Sequence, residues 1–270
     1  MIESLNTPKT PRSVLSTLSV QLTVIIPAWN EEWCIANSLT TIQAVLQGIP
    51  EVELLVVDDG SSDNTVMQVQ EWIKEHQDRS THLITLRHNS GKGRAVLEGV
   101  RRARGHYVAY IDADLDIPAY ELSRLYRIAH EYPNEIIVGS KQHGLNQRAA
   151  VSHFRQIVSW SFAHSVQWLF RLPVHDTQTG LKIFPGQWIR QMAEHVTVIG
   201  YLFDVELLIL AHKAHVGMHE VPIQYVPQRR INRIRARHIL RSLWELAKLY
   251  HRYRLTGGNE DKVSYANFDA

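Results

Sequence analysis

The sequence predicts an α/β fold: a mainly parallel sheet flanked by helices on both faces, extended at its C-terminal end by an amphipathic helix. Three observations carry that prediction. Short apolar runs rich in β-branched residues recur along the first half of the chain, helical patterns separate them, and polar or acidic clusters follow four successive runs. Unbroken apolar runs belong to strands buried on both faces, and their alternation with helices closes through right-handed crossovers into a parallel sheet. In such sheets ligands collect at the carboxyl ends of the strands, where the polar clusters fall.

The first strand is LTVIIPA at 22–28, ended by PAWNEE, and a helical pattern covers roughly 31–47. VELLVVDDG at 52–60 is the second; DDGSSDNT at its end carries turn and N-cap residues before a helix over 63–77. THLITL at 81–86 leads through HNSGKGRAV into a helix over 91–104. HYVAYIDAD at 106–114 runs into DADLD, a helix over 118–131 and the strand EIIVGS at 135–140. After residue 147 the pattern changes. RAAVSHFRQIVSWSFAHSVQWLFRL reads as a long helix, HDTQTGLKIF as a loop and strand, FDVELLILAHKAH as a buried helix, and HEVPIQYV as a strand whose proline suits a sheet edge. The last pattern, 234–254, is helical, with Ile239, Leu240, Leu243, Ala247 and Tyr250 on one face. The chain thus divides into a disordered leader at 1–20, an α/β domain at 21–228, a basic amphipathic helical extension at 229–256 and a flexible tail at 257–270.

With 270 residues, 44% hydrophobic and 21% charged, the chain can bury one large core and carry an appendage. A formal net charge of +2 argues against strong overall attraction to nucleic acid, so no nucleic-acid partner is expected. The positive charge is local: residues 229–254 hold nine arginines or lysines and one glutamate, together with Trp244, which suits a helix lying on an anionic membrane surface and equally a surface helix packing its apolar stripe on the α/β domain; both can hold at once. A lone cysteine, Cys34, excludes an internal disulfide and a multi-cysteine zinc site and fits a reducing compartment. The Ser/Thr/Pro-rich leader lacks the apolar core of a secretion signal, and no apolar run is long enough to span a bilayer. The expected location is cytoplasmic, peripheral on a membrane. His212, His215 and His219 are read as a helix face and not a zinc site.

YIDADLDIP, residues 110–118, places Asp112, Asp114 and Asp116 at alternate positions just past an apolar run; in an extended chain they would share one side. Three like charges there repel unless a cation relieves them. Hard oxygen ligands suit Mg²⁺ or Mn²⁺, which bridges to substrate phosphate oxygens, so the trio predicts a metal-bound nucleotide diphosphate. Asp58 and Asp59 end the second strand, where carboxylates can accept hydrogen bonds from a base N–H or ribose hydroxyls. NSGKGRAV offers small residues, backbone N–H groups at a helix start and two cations, all suited to phosphate. The loop lacks the spacing of a P-loop, and no dinucleotide-binding glycine pattern follows the first strand.

In this order, VIIPAWNEE, VVDDGSSDNT, NSGKGRAV, YIDADLD, VGSK, DTQTGLKIF, GYLFDVELL and EVPIQY resemble the family 2 glycosyltransferases of GT-A fold, and among them the polyprenyl-phosphate hexosyltransferases. The resemblance runs from about 22 to 226 and makes 21–228 a catalytic domain. It implies a nucleotide-sugar donor bound by Pro27, Ala28, Asn30, Glu31, Asp58, Asp59, Gly91, Lys92, Asp112 and Ala113. Asp112, Asp114 and Asp116 would be the catalytic, metal-holding set for Mg²⁺ or Mn²⁺. Lys141, Arg155, Ser159, Asp176 and Gln178 would border the acceptor phosphate, and an arginine such as Arg229 would close over the diphosphate. DTQTG is closest to the dolichyl-phosphate glucosyl branch, which implies UDP-glucose ahead of GDP-mannose. Three positions depart from the family pattern: Asp116 stands where the mannosyl branch commonly has Gln, Lys141 where the family usually has Arg, and PQRRINRIRARH where a Gly-Ser-Lys element often follows the EVPI strand.

A polyprenyl phosphate acceptor is already anionic at neutral pH, so inverting transfer to it requires no general base. Two alternatives stay open. Transfer to a hydroxyl of a glycolipid or small acceptor would require a base, with Asp176, Asp204 and Glu206 as candidates; the other alternative is a non-catalytic nucleotide-sugar-binding protein. The oligomeric state is not set by the sequence.

Overall fold

The computed structural model describes residues 20–141, 153–200, 202–228 and 236–255. Seven strands, β1 (Leu22–Ala28), β2 (Val52–Asp58), β3 (Thr81–Thr85), β4 (Tyr107–Ile111), β5 (Ile136–Ser140), β6 (Leu181–Pro185) and β7 (Met218–Pro222), form one sheet in the order β3-β2-β1-β4-β6-β5-β7. The five apolar runs of the first half are β1 to β5. Parallel pairing joins β1 to β2 and β4, β2 to β3, and β5 to β7, whereas β6 is antiparallel to both β4 and β5. The chain leaves β1 in one direction to β2 and β3 and returns to β4 on its other side, so the switch point that places ligands in such sheets lies between β1 and β4. The proline-bearing β7 sits at the edge, where a missing N–H leaves no ladder bond unmade.

The pleat sorts each strand's side chains between two cores. Val24, Ile26, Leu54, Val56, Ala109 and Ile111 pack with α1 (Ile35–Leu46), α2 (Thr65–Glu75) and α4 (Tyr120–Glu131). Ile25, Leu55, Val57, Val108 and Tyr110 face α3 (Lys92–Arg102), α5 (His153–Phe170), α6 (Gly186–Met192), α7 (Phe203–Lys213) and α8 (Ala236–Tyr250). The seven-residue α6 had no legible periodicity; it follows β6 directly and buries Trp188 and Ile189. Buried from Phe203 to Ala211, α7 is wrapped on all sides, as its apolar composition requires.

A π-helical turn, His251–Leu255, continues α8. The packing face of α8 differs from the expected one: Glu245, Leu246 and Leu249 are buried, with Tyr253 beyond them, while Leu243 and Ala247 are exposed. Leu246, Leu249 and Tyr253 form their own stripe at helical spacing and bring their larger side chains onto the core, which rotates the neighbouring stripe outward. The leader through residue 19, residues 229–235 and the tail from 256 lie outside the described residues.

Candidate active site

At the carboxyl ends of β1 and β2 the two loops are laced together. Asn30 N donates to Ser61 Oγ at 2.9 Å, Ser62 N to Asn30 Oδ1 at 2.8 Å and Glu31 N to Thr65 Oγ1 at 2.8 Å. Asn30 has φ 56, a left-handed conformation that asparagine tolerates. Asp59 accepts Ser90 N at 2.8 Å and Gly91 N at 2.7 Å, so its carboxylate holds the start of α3. Gly91, with φ 100, is the residue type this turn demands. Asp58 is buried; Oδ2 accepts Ser61 N at 3.1 Å, and Oδ1 has no hydrogen-bond partner among the described residues. A buried acceptor left over in this way calls for a donor from outside the chain.

The acidic trio is assembled by a turn and not by strand alternation. β4 ends at Ile111, Leu115 N donates to Asp112 O at 3.2 Å, and Leu115 takes φ 51. From below, Ser38 Oγ on α1 donates to Ala113 O at 2.6 Å. Asp112 forms an ion pair with Lys92, and a side chain at Gly180 of DTQTG would run into its carboxylate. Asp116 is tied to the chain after β7: Oδ1 accepts Gln228 N at 2.6 Å, Oδ2 accepts the Tyr225 hydroxyl at 3.1 Å, and its carbonyl accepts Val226 N at 2.7 Å. Asp114 lies between them. Burial, then the charges of Asp112 and Asp116, push its carboxyl above the ordinary carboxylate range. The three do not form a closed cage: among the described residues no three His, Cys, Asp or Glu side chains converge as a metal site. Lys92 already balances Asp112, whereas no salt bridge reaches Asp114 or Asp116 among the described residues. That donor set fits Mg²⁺ or Mn²⁺, which takes one or two carboxylates and completes its shell with water and phosphate.

On the opposite side, Lys141 directly follows β5. Its N–H donates to Asp176 Oδ2 at 2.9 Å, and its ammonium lies 4.8 Å from the Tyr225 ring centre. Glu220 of β7 accepts His175 N at 2.9 Å and Asp176 N at 3.0 Å, fastening the DTQTG loop to the sheet edge. Burial opposes ionisation of Glu220, but these bonds and that of the Ser140 hydroxyl outweigh it and lower its pKa. Gln178 sits half-buried on the same loop. Arg155 and Ser159 lie on α5 with side chains outside the described residues, and Arg229 lies outside them altogether.

Beneath the site is a buried charge cluster that sequence patterns did not reveal. Lys182, with 0% exposure, stands beside Tyr110 in the β4–β6 register. Its ammonium donates to Thr179 O at 2.8 Å and Tyr110 Oη at 3.0 Å and pairs with Asp204 at 3.3 Å, while the Tyr110 hydroxyl donates to Asp204. Burial lowers the Lys182 pKa against the pull of Asp204 and Asp176, and burial followed by Asp204 raises that of Tyr110 well above normal. For Lys92, burial works the other way but Asp112, Asp204 and Asp114 win, so its ammonium is held. Glu206 is likewise internal, accepting Thr197 N at 2.8 Å, Val198 N at 2.6 Å and the Tyr253 hydroxyl at 2.9 Å. All three carboxylates that could have served as bases therefore have structural partners: Lys141 N for Asp176, Lys182 and Tyr110 for Asp204, and Thr197, Val198 and Tyr253 for Glu206. The one available signal was a lysine inside an apolar strand, LKIF. His219 lies on β7 and stacks on Tyr132 with ring centres 4.0 Å apart, apart from His212 on α7.

Residues 23–192 match the family model described as glycosyl transferase family 2. The chain belongs to that family. This glycosyltransferase is 36% identical over 220 residues to the dolichyl-phosphate beta-glucosyltransferase of Drosophila melanogaster, covering 77% of this chain and 67% of that protein. It is 30% identical over 218 residues to the Dictyostelium discoideum enzyme of the same name, with 77% and 67% covered. The chain thus spans about two thirds of the length of these relatives. Among solved structures it is similar to glucosyl-3-phosphoglycerate synthase from Mycobacterium tuberculosis in complex with Mn²⁺, UDP and phosphoglyceric acid, with TM-score 0.62, 18% identity, and 87% of this chain and 79% of that chain covered. A mannosyltransferase from Pyrobaculum calidifontis in complex with GDP-Man and Mn²⁺ superposes with TM-score 0.55 at 22% identity over 79% of this chain and 59% of that one. The family and the GT-A fold expected from the motifs are both met.

Proposed function

We propose that this glycosyltransferase transfers a hexose with inversion from a nucleotide sugar, UDP-glucose ahead of GDP-mannose, to a polyprenyl phosphate at the cytoplasmic surface of a membrane. The observation that carries this reading is the pairing of a cation-seeking carboxylate, Asp114, with a site whose buried acids, Asp204 and Glu206, already have internal partners. Such a site suits an acceptor oxygen that needs no deprotonation. Similarity to dolichyl-phosphate beta-glucosyltransferases supports it.

Each residue then has a defined task. The free Oδ1 of Asp58 accepts a base N–H, and the Pro27–Ala28–Asn30–Glu31 loop and Asp59 shape the wall around it. Gly91 and Lys92 face the phosphates, with Lys92 and Asp112 compensating each other's charge. Asp114 and Asp116 hold Mg²⁺ or Mn²⁺, which when bound stabilises the negative charge developing on the leaving diphosphate. Lys141, with Arg155, Ser159, Asp176, Gln178 and Arg229, holds the acceptor phosphate beside that second anion; lysine supplies charge without the planar fork of arginine.

Purified protein incubated with Mn²⁺, labelled UDP-glucose or GDP-mannose, and either polyprenyl phosphate or an alkyl glycoside tests the reading. A polyprenyl-phosphate hexose from the UDP donor is expected. Transfer to the glycoside alone would establish a hydroxyl acceptor, and donor binding without transfer or hydrolysis would mark a binding protein.

A further inference from the structure

We infer that the solvent face of α8, formed by Leu243, Trp244, Ala247 and Lys248, is the surface that seats this protein on an anionic lipid bilayer. The inference deepens the membrane reading proposed above and rests on it. The opposite face of α8 is already filled by core contacts through Leu246 and Leu249, so these residues are not needed for packing. Leu243 is 50% exposed and Trp244 60%, and the Lys248 ammonium lies 3.4 Å from the Trp244 ring centre. Next to α8, with Phe170 and Tyr250 rings 6.5 Å apart, α5 exposes Trp168 at 79%. Adjacent helices that each present a tryptophan to solvent are costly in water and suited to a lipid headgroup layer.

Charge selects the occupant. Residues 229–254 carry nine arginines or lysines against a single acid, Glu245, and Glu245 is buried, so the segment's charge is strongly positive. A second copy of this chain would bring the same cations against themselves, whereas anionic lipid neutralises them. The seat is also rigidly connected to the donor side. The Tyr253 hydroxyl bonds Glu206, Glu206 holds Thr197 and Val198, and Ile199 O lies so close to the start of α3 that a side chain at Gly93 would approach it to 2.7 Å. A membrane-bound α8 therefore fixes the orientation of the Gly91–Lys92 loop relative to the bilayer.

Flotation of the full chain with phosphatidylcholine vesicles, with and without phosphatidylglycerol, tests the inference in the absence of donor and acceptor. Binding only to the anionic vesicles is expected, falling as salt rises and dropping about tenfold or more in Leu243→Ser/Trp244→Ser. That variant should keep its melting temperature and its transfer to a short, water-soluble prenyl phosphate. Equal flotation of variant and wild type, or no flotation of the wild type, would overturn it, as would a dimer in sedimentation that the double variant dissociates. Transfer to the soluble acceptor without flotation would sink the docking surface alone; flotation without any transfer would sink the proposed reaction alone.

Discussion

Carboxylates after β1 and β2 bind groups within the first three βα units, whereas those near β4 and β7 bind groups much farther along the chain. Asp58, Asp59 and Asp63 accept from Ser61, Ser90, Gly91, Glu32 and Thr65, all within the first three βα units. Asp116 reaches Tyr225 and Gln228, Tyr110 reaches Asp204, and Glu220 reaches His175 and Asp176. The first wall is thus a local construction of neighbouring βα units. The second wall depends on β6 and β7 having joined the sheet.

The largest effect that would test this division is on Asp114. Asp114→Asn should reduce transfer about 10³-fold, the loss of several kcal/mol of metal-assisted charge stabilisation. The same change should stabilise the ligand-free protein. The folded carboxyl is raised, so wild-type stability is lost as pH rises through its folded pKa, and the Asn variant escapes that loss. Thermal melts should therefore show a gap that opens from acid to neutral pH. No gap at neutral pH would remove the crowding from the donor rim.

Next is the buried lysine that joins the halves. Lys182→Met leaves Asp204 without its cation and should cost about 3–5 kcal/mol in denaturant unfolding. Adding Asp204→Leu should recover most of it, because removal of both charges costs less than stranding one. Additive losses would make the pair incidental.

A smaller effect belongs to the sheet edge. The carboxyl of Glu220 is lowered, so its stabilising contribution is present above the unfolded carboxylate pKa and lost as pH falls through the folded one. Glu220→Gln should cost about 1–2 kcal/mol at neutral pH and flatten the acid limb of the stability curve. The smallest is Tyr225→Phe, which keeps the ring beside Lys141 and deletes the bond to Asp116. A rise of about fivefold in the acceptor KM with little change in kcat is expected from one lost hydrogen bond; an equal fall in donor affinity would show that the two walls are not separable.

Legibility in the sequence followed the same line. Strands β1 to β5, helices α1 to α4 and the carboxyl-end placement of Asp58, Asp59, Gly91, Lys92 and Asp112 could be read because strand, loop and helix are contiguous there. The turn at Leu115 could not, since alternate spacing of Asp112, Asp114 and Asp116 describes an extended chain equally well. Lys182 looked like an anomaly in an apolar strand because its partners lie on β4 and α7. The face of α8 was misjudged at Leu243 and Ala247 because two stripes of similar apolarity compete, and only contact with the core chooses between them.

By itself the sequence determined the α/β layering, the family, and the gathering of polar residues at one sheet edge, because strand burial, helix periodicity and strand-end loops are properties of short contiguous segments. The tertiary structure decided the insertion of β6 between β4 and β5, the Lys92–Asp112 pairing, the Lys182–Asp204–Tyr110 cluster and the outward face of α8. Each of these depends on a distance between residues far apart in the chain, and such distances arise only when the sheet closes around a common core.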